Sequence, residues 1–99
     1  MKVYTQEEFD ALPRNEFGFK ICPTGDYTQI KHFGDYCSFS KRSIFGNYST
    51  IGKCSTIGEC STIGKCSTIG KCSTIGECCV FEKHISLEGL TDCTYFACD

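Results

Sequence analysis

Five cysteines recur at intervals of six residues, Cys54, Cys60, Cys66, Cys72 and Cys78, inside an echo C-S-T-I-G-K/E that runs unbroken from Ile51 to Cys78. Thiols spaced in this way can oxidise in pairs, hold a metal or stand as reactive surface groups. Which of these applies is decided by the backbone that carries them. Each is preceded by a charge: Lys53, Glu59, Lys65, Lys71 and Glu77. Acid–base chemistry has two imidazoles to draw on, His32 and His84, and His84 shares the phase of the five cysteines.

The elements that position these groups are set by the same count. Steps of six from Ile51 reach Ile57, Ile63, Ile69, Ile75, Phe81 and Leu87, and backwards Phe45, Phe39, Phe33, Tyr27 and Ile21. One phase therefore carries a large apolar side chain from residue 21 to 87, in a chain that is 40% hydrophobic. Six is a multiple of two and not of 3.6, so the repeats are extended and the anchors share one face. Thr and Ile favour strands, and the Gly of each unit suits a turn closed to other residues. So short a unit cannot bury its own apolar face and must stack on its copies. The predicted core is Phe45, Ile51, Ile57, Ile63, Ile69, Ile75 and Phe81 with the flanking anchors. A second inward position, four residues after each anchor, holds Cys37, Ser43, Ser49, Ser55, Ser61, Ser67, Ser73 and Cys79, and is broken at Lys31 and Ile85.

The units Ile51-Gly52-Lys53-Cys54-Ser55-Thr56 and their successors resemble the hexapeptide repeat of left-handed parallel β-helices, with an aliphatic residue, a small one, and Ser, Thr, Ala or Val three further on. The resemblance spans about residues 21 to 92. It implies an all-β fold of about four triangular coils, eighteen residues each, with Cys93 completing the last. Cys22-Pro23-Thr24-Gly25-Asp26-Tyr27 and Phe33-Gly34-Asp35-Tyr36-Cys37-Ser38 are similar to segments of small, mostly uncharacterised hexapeptide proteins of bacteria and their phages, built of F-G-x-x-C-S units. From 51 to 78 the chain departs from that pattern, with Ile for Phe and Cys moved outward.

Residues 1–20 read as an amino-terminal cap, 21–92 as the β-helix and 93–99 as a tail or end cap. Thr5 and Glu8 form a capping box, Phe9 and Leu12 share a helical face, and Pro13 stops the helix. Such a helix covers the unpaired edge of a solenoid. Net charge is −2, which gives no basic surface for nucleic acid. No apolar stretch reaches the ~18 residues of a membrane span, and the first residues lack a signal-peptide core. A cytoplasmic location is expected.

Eighteen-residue stacking sets Cys54 under Cys72, Cys60 under Cys78, and Cys66 between Tyr48 and His84. A rung spacing of about 4.8 Å permits disulfides by Cα separation, while a reducing cytosol argues for thiols. Zinc needs four converging ligands, and these cysteines lie on three edges, so no metal, cofactor or catalytic residue is assigned. Corner charges stack as Asp35, Lys53 and Lys71; Lys41, Glu59 and Glu77; and Gln29, Asn47, Lys65 and Lys83. The candidate surface is thus Cys54, Cys60, Cys66, Cys72, Cys78, His84, Lys53, Lys71, Glu59 and Glu77. Hexapeptide acyltransferases are trimers with a catalytic histidine, and here two histidines and no inserted loop make that the runner-up. Ice binding would use Thr50, Thr56, Thr62, Thr68 and Thr74, of which the stacking puts no more than two on a face. A thiol- or metal-binding β-helix is the remaining alternative. The expected function is a non-enzymatic solenoid that binds a protein or itself as a homo-oligomer, in the manner of a phage-derived accessory protein acting on a host component.

Overall fold

The six-residue units fold as strands of two or three residues joined by tight corners. The computed structural model describes residues 1–82, 85–87 and 94–97. After helix α1 (Gln6–Asp10) come β1 (Lys20–Cys22), β2 (Asp26–Tyr27), β3 (His32–Gly34), β4 (Cys37–Phe39), β5 (Ile44–Phe45), β6 (Thr50–Ile51), β7 (Thr56–Ile57), β8 (Thr62–Ile63), β9 (Thr68–Ile69), β10 (Thr74–Phe81), β11 (Ser86–Leu87) and β12 (Thr94–Ala97). All the ladders are parallel. They define three faces: β1-β4-β7-β10-β12 is face 1, β2-β5-β8-β10 face 2, and β3-β6-β9-β11 face 3. Strand β10 is long enough to turn a corner and serve two faces. The result is a parallel β-solenoid of about three turns, where the repeat count suggests four. From β1 to β10 the chain completes three circuits.

An eighteen-residue register pairs Tyr27 with Phe45, Phe39 with Ile57, Phe45 with Ile63, Ile51 with Ile69 and Ile57 with Ile75. Those anchors and Phe33 are at most 3% exposed. Phe81 is half-buried against the same core, as is Ile85. Burial of each full anchor stabilises by roughly 1.5–3 kcal/mol.

Three places break the count, one of them at β12, where Tyr95 opposes Ile75 at an offset of twenty and the eighteen-residue count expects Cys93. Ile21 is not an anchor: β1 pairs with β4 at an offset of seventeen, so Cys22 opposes Phe39 and is buried while Ile21 is 47% exposed. A one-residue slip exchanges the two sides of a strand. The slip lets buried Lys20 turn inward, where Nζ donates to the carbonyls of Phe9 (2.8 Å) and Asp10 (3.2 Å) and lies 4.6 Å from the Phe9 ring centroid. This ties the carbonyl end of α1 to the solenoid. At the third break Ile30 is buried in place of Lys31, and β3 carries an irregularity before it rejoins β6.

The amino-terminal cap follows its sequence signals. Thr5 Oγ1 accepts from the Glu8 amide (3.2 Å) while Glu8 Oε1 accepts from the Thr5 amide (3.1 Å). Phe9 meets Phe33 edge-on at 5.2 Å and Tyr4 stacks on Tyr27 at 4.8 Å, so the end of the coil is closed by rings. The backbone of Lys2–Tyr4 also bonds to Asp26, which covers the edge of β2. At the other end β12 lies along β10, with Thr94 opposite Thr74 and Tyr95 opposite Ile75.

The inward serines satisfy the corners. Ser61 Oγ donates to the Gly58 carbonyl (2.8 Å) and accepts from the Ser43 amide one rung away (3.2 Å), and Ser67 does the same for Gly64 and Ser49. Replacing Ser61 by Ala takes this acceptor from the buried Ser43 amide and leaves the Gly58 carbonyl with the Cys79 thiol (3.3 Å). A loss of about 1–3 kcal/mol is expected, read as a lower denaturant midpoint at unchanged m-value, against a change within about 0.5 kcal/mol for exposed Thr56→Ala.

Candidate functional site

Each corner is made by one residue in the left-handed region. Tyr36, Arg42, Tyr48, Cys54, Cys60, Cys66, Cys72 and Cys78 all have φ between 57° and 62°. Their amides donate across the rungs, Cys54 to the Lys71 carbonyl (2.9 Å) and Cys60 to that of Glu77 (2.8 Å). The expectation that glycine makes the turn is therefore wrong for the repeats. Their glycines are needed for a different reason: a Cβ on Gly64 would stand 2.4 Å from the Gly46 carbonyl carbon, and one on Gly70 2.4 Å from the Lys53 nitrogen. Glycine allows the rungs to touch, and cysteine turns the chain.

These corners bring the candidate residues together along the two edges of face 1. One edge, between faces 3 and 1, carries Asp35, Lys53 and Lys71, and the other, between faces 1 and 2, carries Lys41, Glu59 and Glu77. All six are exposed. Asp35 Oδ1 also accepts from the Lys53 amide (3.0 Å), which ties its carboxylate to the next rung. The two edges are opposite in sign at every rung, and both reverse at the same rung: Asp35 faces Lys41 across the strand, Lys53 faces Glu59, and Lys71 faces Glu77. Between them the face presents Ser38, Thr56 and Thr74 in register. Two threonines stand on this face among the described side chains, as expected, with Ser38 in line with them. They form a single column, repeating along the axis only.

The thiols divide as their phases require. Cys60, Cys72 and Cys78 are exposed, Cys54 and Cys66 half-buried, and Cys22, Cys37 and Cys79 fully buried. Cys54 and Cys72 share the first edge, Cys60 and Cys78 the second, and Cys66 lies apart on the edge between faces 2 and 3. The hydrogen bond with Cys37, together with burial, pushes the Cys22 thiol well above its ordinary range. His84 and Lys83, and with them the pairing of Cys66 to His84, lie outside the described residues, as do Cys93 and Cys98. Among the described residues no three Cys, His, Asp or Glu side chains converge as a metal-binding group, and no helix is long and apolar enough to cross a membrane.

The repeat count gives no warning of a patch before β1. Phe17 is 75% exposed, Phe19 meets Tyr36 edge-on at 5.7 Å, and Arg14 Nη1 donates to the Gly18 carbonyl (2.8 Å). The density of aromatics around Arg14 is the sequence signal for it.

Brief alkylation of the native chain should mark Cys60, Cys72 and Cys78 and leave Cys22, Cys37 and Cys79 unmarked until denaturant is added, with peptide mass spectrometry as the readout. Cys60→Val should destabilise by about 1–2 kcal/mol, because a β-branched side chain is strained at positive φ, whereas Cys60→Asn should be tolerated.

Comparison of the chain with protein-family models, with curated proteins and with solved structures finds no match.

Proposed function

We propose that the chain is a non-catalytic solenoid that pairs with a second copy of itself through face 1. Its coil is taken to be left-handed, as in the hexapeptide proteins its repeats resemble. The observation that carries this function is the rung-by-rung opposition of charge across the face. Rotating one copy by 180° about an axis parallel to the coil, and laying face 1 on face 1, sets each edge against the opposite edge of its partner at the same height. Asp35 then meets Lys41, Lys53 meets Glu59, and Lys71 meets Glu77, each contact made twice by symmetry. An antiparallel pairing would set each edge against itself, so that Lys53 meets Lys53 and Glu59 meets Glu59 at the middle rung, while Asp35 with Lys71 and Lys41 with Glu77 stay favourable; only the parallel pairing makes every contact favourable. Complementary potentials of this kind choose orientation and raise the association rate more than they add affinity.

The centre of such an interface is the hydroxyl column, flanked by the glycines that keep the strands close. Principal extents of 31 × 27 × 20 Å bound the contact to the small end of specific interfaces. A weak, salt-sensitive dimer is the consequence, and a partner protein with the same order of signs would be accepted on the same face.

Sedimentation in reductant tests this. A dimer should form at high micromolar chain concentration in ~20 mM salt and dissociate in ~500 mM salt, where the Debye length is only a few ångströms. Glu59→Lys with Glu77→Lys should leave a monomer, and adding Lys53→Glu with Lys71→Glu should restore the dimer. A monomer under all conditions, or a dimer indifferent to reversal, overturns the proposal; a stable trimer that transfers an acyl group supports the acyltransferase alternative.

A further inference from the structure

We propose that the two thiol columns on the edges of face 1, Cys54 with Cys72 and Cys60 with Cys78, are two-coordinate sites for copper(I). The register places each pair on adjacent rungs at the same height along the strand: Thr56 pairs with Thr74, two residues after Cys54 and Cys72, and Thr62 with Val80, two residues after Cys60 and Cys78. Backbone conformation is also matched, with φ of 57° and 62° in the first pair and 58° and 59° in the second. Side chains leaving equivalent backbones on parallel rungs run parallel, so their Cβ atoms repeat at the rung spacing of about 4.8 Å. That exceeds the ~3.5–4.5 Å a disulfide requires. A linear thiolate–metal–thiolate unit fits it instead: with metal–sulfur bonds of about 2.3 Å, the length zinc takes, the two sulfurs stand about 4.6 Å apart.

The turn does not ask for a thiol. Tyr36, Arg42 and Tyr48 make the same corner at the same φ in earlier units, and cysteine has none of the local hydrogen bonding that lets asparagine tolerate it. What cysteine adds is a soft donor, and soft thiolates select copper(I). Binding requires no oxidation: each thiol releases its proton to water, each sulfur gives one electron pair to the metal, and two thiols with one monovalent cation yield an anionic dithiolate complex and two protons. Lys53 and Lys71 stand next in sequence to the first pair and favour that negative charge, whereas Glu59 and Glu77 stand next to the second and oppose it. The Cys54–Cys72 site is therefore the tighter. Cys66, alone on its edge among the described thiols, has no such neighbour in register.

The test is a copper(I) titration of the full chain under anaerobic reducing conditions, with a coloured bidentate copper(I) chelator as competitor. Two ions per chain should be withdrawn from the chelator by the wild type, one by Cys54→Ser, none by Cys54→Ser with Cys60→Ser, and two by Cys66→Ser. Glu59→Lys with Glu77→Lys, which removes self-pairing, should still withdraw two, so failure of the dimer and failure of the metal site are told apart. Two ions held by the double serine variant, an ion lost by Cys66→Ser, or none withdrawn by the wild type overturns the inference; circular dichroism confirms that each variant keeps its strands.

Discussion

Parallel rungs about 4.8 Å apart leave no room for a side chain where the backbone of one coil crosses that of the next, and the rest of the molecule is arranged around that contact. The glycine of each unit exists because a methyl there would overlap the neighbouring chain. Bringing backbones so close takes amides and carbonyls at the corners partly or wholly out of water, and the inward serines supply hydrogen bonds in its place. A hydroxyl is the smallest group that can donate to one rung and accept from another. Serine in the core is thus a consequence of rung contact, and isoleucine opposite it fills the space that remains.

That arrangement was largely legible in the residues. The anchors from Tyr27 to Ile75 and the small positions from Cys37 to Cys79 are all buried, because a strict period of two admits one inward set. The capping box at Thr5 and Glu8 was legible because it is local chemistry between neighbours in sequence. Cys22, Lys20 and Ile30 were not. Cys22 and Lys20 depend on a one-residue adjustment where the first coil meets the helix, and Ile30 on a second one before β3, and a count of six cannot register an omission of one. Left-handed φ at the cysteines was also hidden, since that conformation ordinarily selects glycine or asparagine and here falls to neither.

The candidate site was legible in its parts and not in its arrangement. Lys53, Glu59, Lys71 and Glu77 could be sorted into columns from the eighteen-residue repeat alone. That both columns flank the same face, reverse sign at the same rung and enclose the hydroxyl column follows from which strands share a ladder. Charge on an exposed corner contributes little to stability on its own. Its value lies in orientation, where one rotation of a partner makes every contact favourable and the opposite rotation sets Lys53 against Lys53 and Glu59 against Glu59 at the middle rung.

Strand β1, slipped by one residue and fastened through Lys20, has a further consequence for how the chain finds its fold. Between Ile51 and Cys78 successive units differ only in whether a corner holds lysine or glutamate, so one coil of the repeat is nearly as good a neighbour as another, and a thread displaced by a whole coil would bury the same isoleucines. What gives the repeat an address is the unrepeated beginning: the ring cluster of Tyr4, Phe9, Tyr27, Phe33 and Phe39, which fits only beneath its own first coil. Solenoids fold by propagation between neighbours. In this one the unrepeated aromatic end fixes the register from which each further coil takes its place along the axis.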